Sequence, residues 1–125
     1  LLPFINAKNA RIITLEGPLG AGKTTLTKNI LRALGVVETV NSPTFGYVNT
    51  YKTNTGLIIN HFDLYRLRNL QDFIDAGFEE YLYQPHSLCL IEWPDSIEAL
   101  LTHNICKVIL EYKGVDLRFI SVSNV

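Results

Sequence analysis

Residues 17–24 read Gly17-Pro18-Leu19-Gly20-Ala21-Gly22-Lys23-Thr24, a complete match to G-x-x-x-x-G-K-[ST]. No other stretch restricts the fold as much, because this loop works only between a strand and a helix. Both are legible. Residues 11–16 (RIITLE) form a β-branched run that stops at Gly17, which predicts a short buried strand. Residues 23–34 carry apolar side chains at 26, 30, 31 and 34 and stop at Gly35, which predicts a helix. The glycines let the backbone curl so that successive N–H groups converge on phosphate oxygens. The helix start adds partial positive charge. Lys23 then reaches β- and γ-phosphates, and the Thr24 hydroxyl is placed for Mg²⁺. With glycine near 7% of average composition, a chance match in a chain this short is rarer than about one in a hundred.

The 125 residues suit one domain. An apolar content of 47% with a net charge of −1 excludes intrinsic disorder. The near-neutral balance also argues against a nucleic-acid clamp working by charge alone, so any nucleic acid is expected to be held by a partner. No apolar run approaches the roughly 18 residues of a membrane-spanning helix. Cys89 and Cys106 lie in apolar, strand-like runs and are expected to be buried thiols, which fits a reducing, cytoplasmic setting. The first residue is Leu1 and the chain has no Met, so a truncated or processed start is expected.

Further elements follow from pattern. Residues 44–51 and 57–62 read as strands around the turn signal Asn54-Thr55-Gly56. Residues 71–82 read as a helix with Gly77 as a weak point. Residues 87–93 (SLCLIEW) are almost continuously apolar, as in a strand buried on both faces. Asp95 and Ser96 are suited to cap a short helix over 97–101. Residues 107–112 and 117–122 read as a hairpin around Lys113-Gly114. The expected fold class is α/β, a P-loop NTPase fold: one domain over 1–125 with a central mixed, mostly parallel sheet flanked by helices.

A phosphate loop also needs an acid on the metal side. Asp63 ends the run at 57–62, and Glu92 follows Leu88-Cys89-Leu90-Ile91. In parallel α/β sheets ligands collect at the carboxyl ends of strands, where both acids would project. Asp63 could instead cap the turn at Leu64-Tyr65-Arg66. Glu92 has less alternative, since an acid after four apolar residues would otherwise enter a core unpaired. His61 shares a strand face with Asp63 and is either a proton carrier or, in preference, a packed histidine bonded to a neighbour. Trp93 either covers the sheet edge or acts as a lid or partner contact. Arg66 and Arg68 are candidate phosphate-charge stabilisers, with solvated helix-end charges as the default. Ser42-Pro43-Thr44-Phe45 falls where a γ-phosphate-sensing loop could lie, or is an ordinary turn.

Taken together, GPLGAGKTT, SPTF, HFDLYR and LIEWP, in this order and spacing, resemble the TsaE family, also called YjeE. The resemblance covers roughly residues 10–120. It implies a small ATPase of bacterial tRNA modification that binds ATP and Mg²⁺. It also implies TsaB and TsaD as partners, with which it makes threonylcarbamoyladenosine next to the tRNA anticodon. In that scheme tRNA is contacted indirectly through the complex, DNA and membranes are not involved, and ATP hydrolysis resets TsaB–TsaD between turnovers. Carried over by position, Gly17, Pro18, Leu19, Gly20, Ala21, Gly22, Lys23, Thr24 and Thr25 form the nucleotide loop. Thr24 and Glu92 are then the Mg²⁺ pair, Asp63 is the essential acid, Thr44 belongs to the mobile loop and Trp93 is the tryptophan beside the acid. Lys23, Asp63, Glu92 and Thr44 are thus the expected catalytic set. The family has a helix before the first strand; the roughly ten residues that precede Arg11 do not look like it, so that helix is expected to be missing or altered here.

Two other functions share the phosphate loop. A small-molecule kinase would add an acceptor pocket and an arginine-rich lid, whereas this chain has only Arg11, Arg32, Arg66 and Arg68 before residue 118, unclustered. A GTPase switch would carry an N-K-x-D segment, and none is present.

Overall fold

The apolar runs assemble into one six-stranded sheet in a computed structural model that describes residues 11–18, 22–40, 46–113 and 117–124. The strands are β1 (Ile12–Glu16), β2 (Val48–Lys52), β3 (Ile58–Asp63), β4 (Ser87–Glu92), β5 (Ile105–Lys113) and β6 (Leu117–Asn124). Their order across the sheet is β2-β3-β4-β1-β5-β6. β1 runs parallel to both β4 and β5, and β3 runs parallel to β4, while the two edge strands pair antiparallel. This is the expected α/β class with a mixed, mostly parallel sheet. All six residues of β4 are buried, as its unbroken apolar run implies for a strand covered on both faces.

Each face of the sheet has its own core. On one, α1 (Lys23–Ala33) sets Ile30 and Leu31 against Ile13, Leu15, Ile59 and Leu90. On the other, α2 (Leu70–Asp75) and two 3₁₀ segments, Phe78–Tyr81 and Pro94–Leu100, cover Ile12, Phe62 and Ile91. Here Phe62 packs against Phe73 and Phe78 at centroid distances of 5.6 and 5.7 Å. Tilted and edge-to-face contacts of this kind add roughly 0.5–1.5 kcal/mol per pair to simple burial.

Four expectations are corrected. The strand expected at 44–51 begins only at Val48: Gly46 and Tyr47 form a bend, and 41–45 lie outside the described residues. The helix expected over 71–82 stops at Asp75. Gly77 takes a left-handed φ of 80°, so the chain restarts as the 3₁₀ segment. The strand expected to include Trp93 ends at Glu92, because Trp93 is itself left-handed (φ 59°, ψ 63°). The helix expected over 97–101 is the 3₁₀ segment Pro94–Leu100; it has no side-chain cap from Asp95 or Ser96, and Pro94 sets its start. The hairpin strands are those expected, each slightly longer, and the turn at 114–116 lies outside the described residues.

Candidate active site

β1 delivers the chain to Gly17 at the carboxyl edge of the sheet, and Gly22 starts α1. Gly17 passes so close to β5 that a Cβ there would sit 2.5 Å from Leu110 O. Only glycine permits that approach at a φ of +149°. Gly22 is left-handed (φ 96°) and caps α1 with no side-chain hydrogen bond, and no acid sits in the first turn. Gly22 thus offers no side-chain acceptor to the first-turn N–H groups of α1, which form the anion-favouring end of the helix dipole. Leu19, Gly20 and Ala21 of the loop, and Thr44, lie outside the described residues.

Lys23, the first residue of α1, turns inward and is 5% exposed. Its Nζ donates to the carbonyl oxygens of Gly17 and of Pro18, the latter at 2.8 Å. The same ammonium lies 4.0 Å from the centre of the Trp93 ring, a cation–π contact. Burial pushes the Lys23 pKa down, while the negative charges of Glu92 and Asp63 pull it back up. Lys23 is therefore the cation at the centre of the site, with two carboxylates balancing it.

Those carboxylates arrive by register. β3 and β4 are parallel and in step, so Asp63 and Glu92 are partners at the ends of adjacent strands. Glu92 is buried, and its Oε2 lies 2.7 Å from His61 Nε2 and 3.5 Å from Thr27 Oγ1. Of the two readings of His61, the structure contains the packed histidine bonded to a neighbour. Asp63 is half-buried, and its Oδ1 accepts the Tyr65 backbone N–H at 3.1 Å, so it also caps the turn after β3. Trp93 leans on Tyr65 at 4.9 Å between centroids. Its left-handed backbone turns the chain sharply after Glu92, and this puts the indole against Lys23.

Thr24 and Thr25 are exposed on the first turn of α1. Among the described residues the threonine that meets Glu92 is Thr27, one turn further on and 1% exposed. Thr27 was not singled out from sequence, although its place four residues after Lys23 puts both on one helix face. Arg66 and Arg68 are exposed, and Arg68 pairs loosely with Asp72 at 3.7 Å, the solvated default. Cys89 and Cys106 are free and buried, as expected, and burial pushes the Cys89 thiol up to about 12.

With this geometry in place, comparison with known proteins is decisive. The family model described as "Threonylcarbamoyl adenosine biosynthesis protein TsaE" matches residues 3–119. The chain belongs to the TsaE family. It is 38% identical over 120 residues to the tRNA threonylcarbamoyladenosine biosynthesis protein TsaE of Bacillus subtilis, covering 95% of this chain and 73% of that one. It is 37% identical over 112 residues to the protein of the same name from Haemophilus influenzae, covering 90% and 70%. Among solved structures, the crystal structure of Bacillus subtilis YdiB superposes with a TM-score of 0.73 at 34% identity, covering 97% of this chain and 74% of that one. The family match spans all four segments that carried the resemblance. No helix among the described residues is long and apolar enough to cross a membrane.

Proposed function

We propose that this chain is the ATP-binding and hydrolysing subunit of the tRNA N6-threonylcarbamoyladenosine machinery, a cytoplasmic protein acting with TsaB and TsaD. The observation that carries the proposal is the placement of Lys23. Its buried ammonium sits at the start of α1, beside the ends of β3 and β4 where Glu92 and Asp63 emerge. Incoming β- and γ-phosphates would take over from the Gly17 and Pro18 carbonyls as its partners, with loop and helix N–H groups as further donors. In this reading Gly17 to Thr25 bind ATP, and residues 1–125 act as one ATPase domain.

The donors available to a cation are oxygens: the Glu92 and Asp63 carboxylates and the Thr24 hydroxyl. That set fits Mg²⁺, a hard ion that keeps several waters and takes one or two protein oxygens. In this reading Thr24 and Glu92 would hold the ion, which neutralises charge on the transferring phosphate. Asp63 supplies a second negative group to orient the attacking water, and Thr44 belongs to the segment that responds to the γ-phosphate. Lys23 balances phosphate charge, and Trp93 shields that balance from water.

The test is calorimetric titration with ATP·Mg²⁺, together with product analysis. Hydrolysis should yield ADP and inorganic phosphate, with none transferred to a panel of small hydroxyl and carboxyl acceptors. A phosphorylated acceptor would mean a small-molecule kinase instead.

A further inference from the structure

His61 is wholly internal, 1% exposed, on the face of β3 that α1 covers. Its Nε2 lies 2.7 Å from Glu92 Oε2, while its Nδ1 is buried with no hydrogen-bond partner among the described residues. A neutral imidazole has a single N–H. Placed on Nε2, that proton makes a charge-assisted bond to the carboxylate. Placed on Nδ1, it would be an orphaned buried donor, and the Nε2 lone pair would face a carboxylate oxygen at 2.7 Å. Of the two neutral tautomers, the surroundings therefore select Nε2–H.

Both hydrogen bonds to the Glu92 side chain among the described residues, from His61 and at the limit of reach from Thr27, end on the same oxygen, Oε2. We infer that His61 is a positioning residue that anchors Glu92 by Oε2 and leaves Oε1 as the oxygen presented to the nucleotide's Mg²⁺. The inference rests on the reading of Glu92 as the metal-side acid and deepens it. The sheet explains why a histidine two residues before Asp63 can do this. His61 pairs with Leu90 and Asp63 with Glu92, so His61 lies one pleat behind the acid, on the neighbouring strand and the same face. Its ring is long enough to reach forward to the strand end. A shorter side chain at 61 would leave the carboxylate to rotate in its pocket, and a carboxylate that rotates loses the fixed direction a metal site needs.

The experiment has two parts. Long-range ¹⁵N–¹H spectra of the imidazole rings read the tautomer in the unmodified chain, where His61 is separable from His86 and His103 by its burial. The Nε2–H form is expected, and an Nδ1–H form overturns the inference. In the second part, ATP binding is followed by calorimetry across a Mg²⁺ series for His61→Leu, His61→Gln and Glu92→Gln. His61→Leu should need about 10–100-fold more Mg²⁺ for its half-maximal effect, with ATP affinity in EDTA unchanged. His61→Gln, whose amide N–H can stand near the Nε2 position, should recover most of that loss. Parent-like Mg²⁺ dependence in His61→Leu, with Glu92→Gln impaired, overturns the positioning role alone. Parent-like dependence in Glu92→Gln overturns the assignment of Glu92 itself. Since the tautomer is read without any substitution, an Nδ1–H form overturns the inference even where a variant does not fold.

Discussion

Replacing Gly17 with alanine tests how the phosphate loop is held against the sheet. Gly17 has a φ of +149°, and a Cβ there would stand 2.5 Å from Leu110 O, 3.3 Å from Leu110 Cβ and 3.4 Å from Leu110 C. The nearest atom is a backbone oxygen of β5, which is laddered to β1 and β6 and has no free rotation to yield. The added methyl therefore forces the loop away from β5. The unfavourable backbone angle costs about 1–3 kcal/mol, and relieving the overlap costs about 1–3 kcal/mol more. The sum, roughly 2–6 kcal/mol, is a large share of the 5–15 kcal/mol that typically separates folded from unfolded domains. For a chain of this size it corresponds to a Tm lower by roughly 8–23 °C. Gly56→Ala is the control. Gly56 has a φ of +91° but, among the described residues, nothing within 4 Å of where the methyl would stand, so only the conformational cost applies. The entropy lost by the unfolded chain is the same in both variants and cancels between them. Circular-dichroism melts should place Gly17→Ala well below Gly56→Ala, and ATP binding should weaken only in the former. Equal melting temperatures would refute the idea that contact with β5 holds the loop.

Three further outcomes follow from the same geometry. Lys23→Ala should abolish calorimetrically detectable ATP·Mg²⁺ binding and lower the Tm by only a few degrees, since the lysine contributes two hydrogen bonds and a cation–π contact but little core. Burial and neighbouring Glu98 raise the Glu16 pKa above 4.5 in the folded chain, with Lys107 opposing them and Asp95 adding to the rise. The folded state then binds more protons than the unfolded one just above pH 4.5, so stability falls as pH rises through that window; Glu16→Gln should raise stability at pH 7 in urea titrations, and its advantage should shrink toward pH 4. Cys89, with its thiol pushed up to about 12, should resist alkylation at pH 8 in the native protein and react fully once unfolded.

How much of this was legible in the sequence depended on whether the signal was local. The phosphate loop, β1, α1 and the buried β4 could be read because each carries its cause within about ten residues: a glycine pattern, a 3.6-residue period or an unbroken apolar run. Asp63 and Glu92 were legible for the same reason, each being an acid that ends such a run. The His61–Glu92 bond was not, because it joins residues 31 apart through the register of β3 on β4, which no local pattern encodes. Thr27 was missed because a threonine inside a helix is ordinarily unremarked, and only the tertiary contact with Glu92 gives it a task. The break after Asp75 was half visible: Gly77 is legible as a weak point, but the restart as a 3₁₀ segment that packs Phe78 against Phe73 and Phe62 is not. Trp93 read as a continuation of its strand because aromatic residues favour strands, whereas here a sharp turn brings its ring over Lys23.

The most direct measurement is steady-state phosphate release at saturating ATP·Mg²⁺, titrated with the TsaB–TsaD complex, with the parent chain beside Glu92→Gln and with tRNA alone as control. The expected result is slow release by the isolated chain, a rate that climbs and saturates with TsaB–TsaD, and almost no climb in Glu92→Gln. The contradicting result is a rate raised by tRNA alone and indifferent to TsaB–TsaD, which would mark a direct nucleic-acid motor.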